Sequence, residues 1–414
     1  MRMSVRSILG FCLVLILAGV GMFFLASELR GDKASSLSEL NDCFSNTSTA
    51  SQNAGPNDEC LQERIASLLN SFSTADLMNY AVASTTPYSV TSYCHNTAHI
   101  IGEETFIKWD NVEAALDQCT RACSLGCTHG VIAGAVAKEL GATYLSEDII
   151  HADPIKIQAL GATYCFPDSP LCHAVGHILY IGSQNIQTSL NGCEKISEGR
   201  TTESCYEGVF MEAAGGTEVF VKSTTTPERT DNDYAYPCNS VATKYQHACF
   251  QYLTNFQRQL FTKNNVPVAA QFDIIRNVCE SFSGKKSRSD CFVGIGYIFL
   301  RTRDNRDSIS PRSPTLCETL PGIDQDSCVV GLTLKTILSG YASGFNYCNG
   351  RSDENRLRLC YNVVFQTMKA NSFTDEKVRT LCETSNDADR CKKQFEMYLP
   401  VAKSLPQYFS DGLF

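Results

Sequence analysis

Apolar residues along this chain gather into helix-length segments separated by polar, turn-like stretches, and almost every apolar segment opens on a cysteine. The pattern begins at Cys60 (CLQERIASLL), Cys94 (CHNTAHIIGEETF), Cys127 (CTHGVIAGAVAKEL), Cys172 (CHAVGHILYIG) and Cys205 (CYEGVFMEAAGG). It continues at Cys249 (CFQYLTNFQRQLF), Cys291 (CFVGIGYIFL), Cys328 (CVVGLTLKTIL), Cys360 (CYNVVFQTMKA) and Cys391 (CKKQFEMYLPVA). Successive openings are 34, 33, 45, 33, 44, 42, 37, 32 and 31 residues apart, the period range of helical solenoids. The predicted body is therefore all-α, a solenoid of nine or ten helical hairpins. A glycine follows the opening cysteine by three residues at Gly130, Gly208, Gly294 and Gly331, one turn on along the same face, where close packing of neighbouring helices would exclude a side chain.

The N-terminus breaks the pattern. Ile8 to Ala26 form an uncharged apolar stretch behind Arg2 and Arg6, close to the roughly 20 residues that cross a bilayer. The flanking arginines place the N-terminus in the cytoplasm and the body in the periplasm or outside the cell, as a single-pass signal-anchor protein. A cleaved signal peptide is the alternative, and either choice exports everything after residue 30. The expected organisation is an anchor at 1–29, a flexible Ser/Asn/Asp-rich stalk at 30–59, N-terminal repeats at 60–235 and C-terminal repeats at 236–414. One sequon, Asn46-Thr47-Ser48, lies in the stalk.

Of 21 cysteines only Cys12 falls in the apolar stretch, leaving an even 20 outside it, as a disulfide framework in an oxidising compartment requires. No Cys-x-x-Cys occurs. A second cysteine precedes most opening cysteines by a short polar loop, giving Cys43–Cys60, Cys165–Cys172, Cys193–Cys205, Cys238–Cys249, Cys279–Cys291, Cys317–Cys328, Cys348–Cys360 and Cys382–Cys391. Cys94, Cys119, Cys123 and Cys127 remain for two more bonds. Their connectivity is open from sequence; by analogy Cys119 pairs with Cys127 and Cys94 with Cys123, and a reduced Cys94/Cys123/Cys127 zinc cluster with the nearby histidines is the competing arrangement.

The layout of residues 60–400 resembles the cysteine-rich Sel1-like and tetratricopeptide-type repeat proteins, in which helix pairs of similar length carry one disulfide each. The consensus Leu-Gly-x-x-Tyr-x-x-Gly of that family is absent after the opening cysteine, so the resemblance implies an architecture and no partner or activity.

Five of the seven histidines sit at the starts of three consecutive predicted helices: His95 and His99, His129, and His173 and His177. Cys94 and Cys172 each open a Cys-His-x-x-x-His segment, and two imidazoles four residues apart share one helical face. Equivalent helices of a solenoid stand side by side, so these five rings are expected to converge on a transition metal such as Zn, Cu or Fe. Glu103 continues the His95/His99 line and Glu104 lies beside it, candidates for a carboxylate ligand or a catalytic proton carrier. Glu207 and Glu212 would border the site if it extends one helix further, and His151 and His247 lie outside the register.

A net charge of −9 and pI near 5.4, without a basic run, argue against a nucleic-acid partner. Phosphate-loop, dinucleotide, nucleophile-elbow and His-Glu-x-x-His motifs are all missing. Two readings remain: a membrane-tethered metalloprotein with hydrolytic or redox chemistry, and a non-catalytic scaffold that offers the solenoid surface to a protein or peptide.

Overall fold

The computed structural model describes residues 37–45, 58–82, 94–120, 123–142, 154–165, 171–196, 200–214, 233–297, 313–337, 341–370 and 373–404. The apolar stretch 8–26, Cys12, the sequon and His151 lie outside them. Among the described residues no helix is long and apolar enough to cross a membrane, and every regular element is helical.

In chain order the α-helices are α1 Asp42–Ser45, α2 Asp58–Leu68, α3 Thr74–Val82, α4 Cys94–Trp109, α5 Val112–Leu116, α6 Gly126–Leu140, α7 Pro154–Tyr164, α8 Cys172–Ser183, α9 Ile186–Ile196 and α10 Arg200–Ala213. They continue as α11 Thr243–Lys263, α12 Val268–Ser281, α13 Lys285–Tyr297, α14 Ser313–Glu318, α15 Gly322–Ile337, α16 Tyr341–Asn349, α17 Glu354–Ala370, α18 Asp375–Cys382 and α19 Ala388–Tyr398. The helices that carry an opening cysteine (α2, α4, α6, α8, α10, α11, α13, α15, α17 and α19) form one row, each packed on the next. The shorter helices between them flank that row, as α9 does against α8 and α10, and α12 against α11 and α13. This is the helical repeat arrangement the cysteine spacing predicts.

Part of the segment expected as a flexible stalk, residues 37–45, is helical and docked. A 3₁₀ turn at Ser38–Asn41 leads into α1, Leu40 and Cys43 are buried, and Cys43 is bonded to Cys60 at the start of the array. An apolar residue and a half-cystine placed among polar neighbours are enough to dock this short piece on α2.

All twenty cysteines from Cys43 to Cys391 are paired in ten disulfides. Eight tie a row helix to the short helix or turn that precedes it. The other two, Cys94–Cys123 and Cys119–Cys127, bracket the loop before α6. In the chain-entropy account each bond stabilises by about 3 kcal/mol for a loop of some 15 residues. Thiol titration of the denatured, unreduced protein is accordingly expected to find none of these twenty free; a reactive thiol among them would contradict the framework.

The row is not evenly spaced, and glycine explains why. A Cβ on Gly102 would lie 1.9 Å from the Cys127 carbonyl oxygen, and one on Gly130 1.8 Å from that of His99. The α8–α10 pair repeats this, with Gly176 against the Cys205 oxygen at 2.1 Å and Gly208 against the His173 oxygen at 2.0 Å. So does α13–α15, with Gly296 against Cys328 at 2.1 Å and Gly331 against Val293 at 2.0 Å. Backbones that touch leave no room for a side chain, so these reciprocal glycines lock three helix pairs in one register.

That register corrects the sequence alignment of the two Cys-His-x-x-x-His segments. They are not equivalent: measured from the glycine contacts, His99 occupies in α4 the place that His173 occupies in α8. The helix α4 is displaced by about one turn relative to its cysteine, because Cys94 bonds the loop residue Cys123 while Cys172 bonds Cys165 at the end of α7.

Candidate metal centre

The five histidines of the sequence pattern converge. Ring centroids of His95–His99, His99–His129, His129–His173 and His173–His177 are 4.6, 5.2, 5.1 and 4.9 Å apart, and His99–His177 spans 6.3 Å. Four of the rings are buried, and His95 is partly so. They come from the N-terminal halves of α4, α6 and α8, which the glycine contacts and the row packing hold together.

His95, His99 and His129 can hold a metal ion: one ligand atom from each lies within 4.8 Å of the others. The Nε2 atoms of His95 and His99 are 3.1 Å apart. Two nitrogens bound at about 2.05 Å to a tetrahedral ion stand roughly 3.3 Å apart, so this pair already has chelating geometry. The partners of His95 assign its tautomer. Its Nδ1 is 2.7 Å from the Cys123 carbonyl, which can only accept, so Nδ1 carries the proton and Nε2 presents a lone pair. Without an ion, His99 Nε2–H donates to that lone pair.

The Cys123 carbonyl is placed by an unusual loop. Cys123 and Leu125 have φ of 56° and 62°, left-handed values that non-glycine residues seldom adopt, and the two disulfides on either side hold them there. At Gly126 a Cβ would fall 2.6 Å from the His95 carbonyl oxygen and 3.3 Å from its Nδ1, so this position also stays bare.

Two carboxylates face the rings, and a third lies one turn from them. Glu103, one turn beyond His99 in α4, is buried, and its Oε2 has no hydrogen-bond partner. Glu212 in α10 accepts from His177 Nδ1 at 2.8 Å. Glu207, also in α10, lies with Oε2 4.0 Å from His173 Nδ1, and its Oε1 accepts from Gln251 Nε2 of α11 at 3.0 Å. Glu104 is also buried but turns elsewhere and bonds the Gln62 side chain of α2. His247 pairs with Asp290 in the C-terminal half, away from the site.

Burial dominates the ionisation of the cluster. It drives His99, His129 and His173 well below the usual imidazole range, with the neighbouring rings adding to the effect, and takes His177 down to about 3. Burial, with Glu104 adjacent, lifts Glu103 to about 9. Neutral imidazole is the form that ligates metal, so the rings need no deprotonation at physiological pH.

Gln251 and the Cys123 carbonyl escaped the sequence reading. A signal for Gln251 was present: like His129 and Glu207 it stands two residues after an opening cysteine, where Val293 and Val330 stand further along. No protein-family model matches this chain, and neither the curated proteins nor the solved structures supply a match.

Proposed function

We propose that this chain is an exported metalloprotein tethered to the membrane by its N-terminal apolar stretch, and that it binds a transition-metal ion of the Zn, Cu or Fe class. The observation that carries the reading is the set His95, His99 and His129, whose ligand atoms lie within 4.8 Å of one another in a largely buried site. Ten disulfides support export, since such a framework persists only in an oxidising compartment.

A bound ion with an open ligand position would polarise water, dioxygen or a carbonyl oxygen. Glu103, neutral at pH 7 and one turn from His99, is the group best placed to give or take the proton such chemistry needs. Presenting the helical surface to a protein partner is compatible with this, but a scaffold alone gives no reason to bury four histidines side by side.

The test is metal analysis of chelator-stripped protein reloaded with Zn(II) and desalted. The wild type is expected to retain the ion and His99→Ala/His129→Ala to lose most of it, with near-ultraviolet dichroism confirming the fold. Equal metal content in the two proteins would remove the proposal.

A further inference from the structure

Superposing the glycine contacts of the three tightly packed helix pairs makes three positions equivalent in each. In α4–α6 they hold His99, Glu103 and His129; in α8–α10 they hold His173, His177 and Glu207; in α13–α15 they hold Val293, Tyr297 and Val330. The first two pairs each supply two imidazoles and one carboxylate, a donor set that suits divalent first-row transition metals. The third pair fills the same places with apolar residues and an aromatic ring, all buried. The architecture therefore packs without histidine or glutamate there, and their presence in two pairs of three calls for another explanation.

The α8–α10 set has a feature that packing does not account for. His173 bonds the Ser204 backbone, and since its Nδ1 has no hydrogen-bond partner that bond is made by Nε2–H to the carbonyl. The Nδ1 lone pair thus faces Glu207 Oε2 across 4.0 Å, two acceptors opposed in a site closed to water. Two ligands that each stand about 2 Å from a common ion are at most about 4 Å apart, so this pair can share a cation that lies close to the line between them. Glu212 orients His177 through Nδ1, and Gln251 orients Glu207 through Oε1, the outer hydrogen bonds that metal ligands ordinarily receive.

We infer that the cluster is dinuclear: beside the ion of His95, His99 and His129, a second divalent transition-metal cation is held by His173, His177 and Glu207. The inference rests on the metal-binding function proposed above. His129 and His173 stack at 5.1 Å and mark the boundary between the two positions. The carboxylates of Glu207 and Glu212 offset two of the four positive charges that two divalent ions bring into the protein interior.

The experiment is a titration of the stripped full-length protein with Co(II), followed by its visible ligand-field bands. Wild type is expected to take two equivalents. His173→Val/Glu207→Val, which installs the residues the third helix pair already uses at these places, is expected to take one, and so is the milder Glu207→Gln. His95→Ala/His129→Ala is expected to keep one equivalent, in the second position. A single equivalent in wild type, or two in both Glu207 variants, overturns the dinuclear assignment and leaves the mononuclear reading standing. No cobalt at all in wild type refutes the metal-binding function itself.

Discussion

Taking the metal-free protein from pH 7 to pH 5 is expected to remove several kcal/mol of folding stability. His99, His129, His173 and His177 have folded-state pKa values below the ordinary imidazole value, so the unfolded chain binds more protons and stability falls as the pH drops through about 6.5. With unfolded values near 6.5, each ring that stays neutral in the fold costs about 2 kcal/mol at pH 5, and the four together approach the whole stability of an ordinary domain. Glu103 acts in the opposite sense. Its folded pKa is raised to about 9, so its contribution is complete below the ordinary carboxylate range and is lost as the pH rises toward 9. Acidification from 7 to 5 therefore recovers roughly 2 to 3 kcal/mol through this one group, which leaves the histidines in the majority. Urea denaturation at a series of pH values measures the slope. A stability that is flat between pH 7 and 5 would show that the rings are protonated in the fold.

The second large effect concerns Gly130. Gly130→Ala places a methyl group 1.8 Å from the His99 carbonyl oxygen, and backbone on both sides cannot yield as a flexible side chain would. The α4–α6 pair has to separate, at an expected cost of about 3 kcal/mol or more. The same separation carries His99 away from His129, so metal retention is expected to fall along with stability. Gly350→Ala is the control. Its Cβ would meet the Tyr347 carbonyl oxygen at 3.4 Å, ordinary contact, and a change within roughly 0.5 kcal/mol is expected. Thermal unfolding of the two variants beside wild type, with bound metal measured on each, makes the comparison. Equal melting temperatures would mean that the helices are not in backbone contact.

The experiments on the cluster complement these two, because they replace donors and leave the helix contacts alone. Val293, Tyr297 and Val330 are useful there as a set of replacements this fold already accommodates at the equivalent places. They separate a lost ligand from a lost core.

Much of this molecule is legible in its one-dimensional pattern. Opening cysteines at 31 to 45 residue spacing mark the row helices, and eight of the ten bonds follow from pairing an opening cysteine with the cysteine before it; in the crowded Cys94 to Cys127 stretch sequence alone leaves the connectivity open, and the bonds Cys94–Cys123 and Cys119–Cys127 match the pairing expected by analogy. The concentration of five of the seven histidines at the starts of three successive helices likewise leads to the cluster. These are local signals: a disulfide across a short loop and a helical face both depend on residues near in sequence.

The layer in which each side chain sits is not local, and only the packed helices decide it. A cysteine marks which segment forms a row helix, although α11, α13, α15 and α17 each begin six residues before it, whereas the depth at which two helices meet is set where their backbones touch, at Gly102 and Gly130 or Gly176 and Gly208. Hence His95 and His173, alike in sequence, stand a turn apart in the array, and His99 and His173, unlike in sequence, share a layer. The same contacts turn Glu207 and Glu212 from bordering residues into partners of His173 and His177, and turn Glu104 away toward Gln62. Sequence determined which residues are available to the site, and close backbone packing determined which of them face one another.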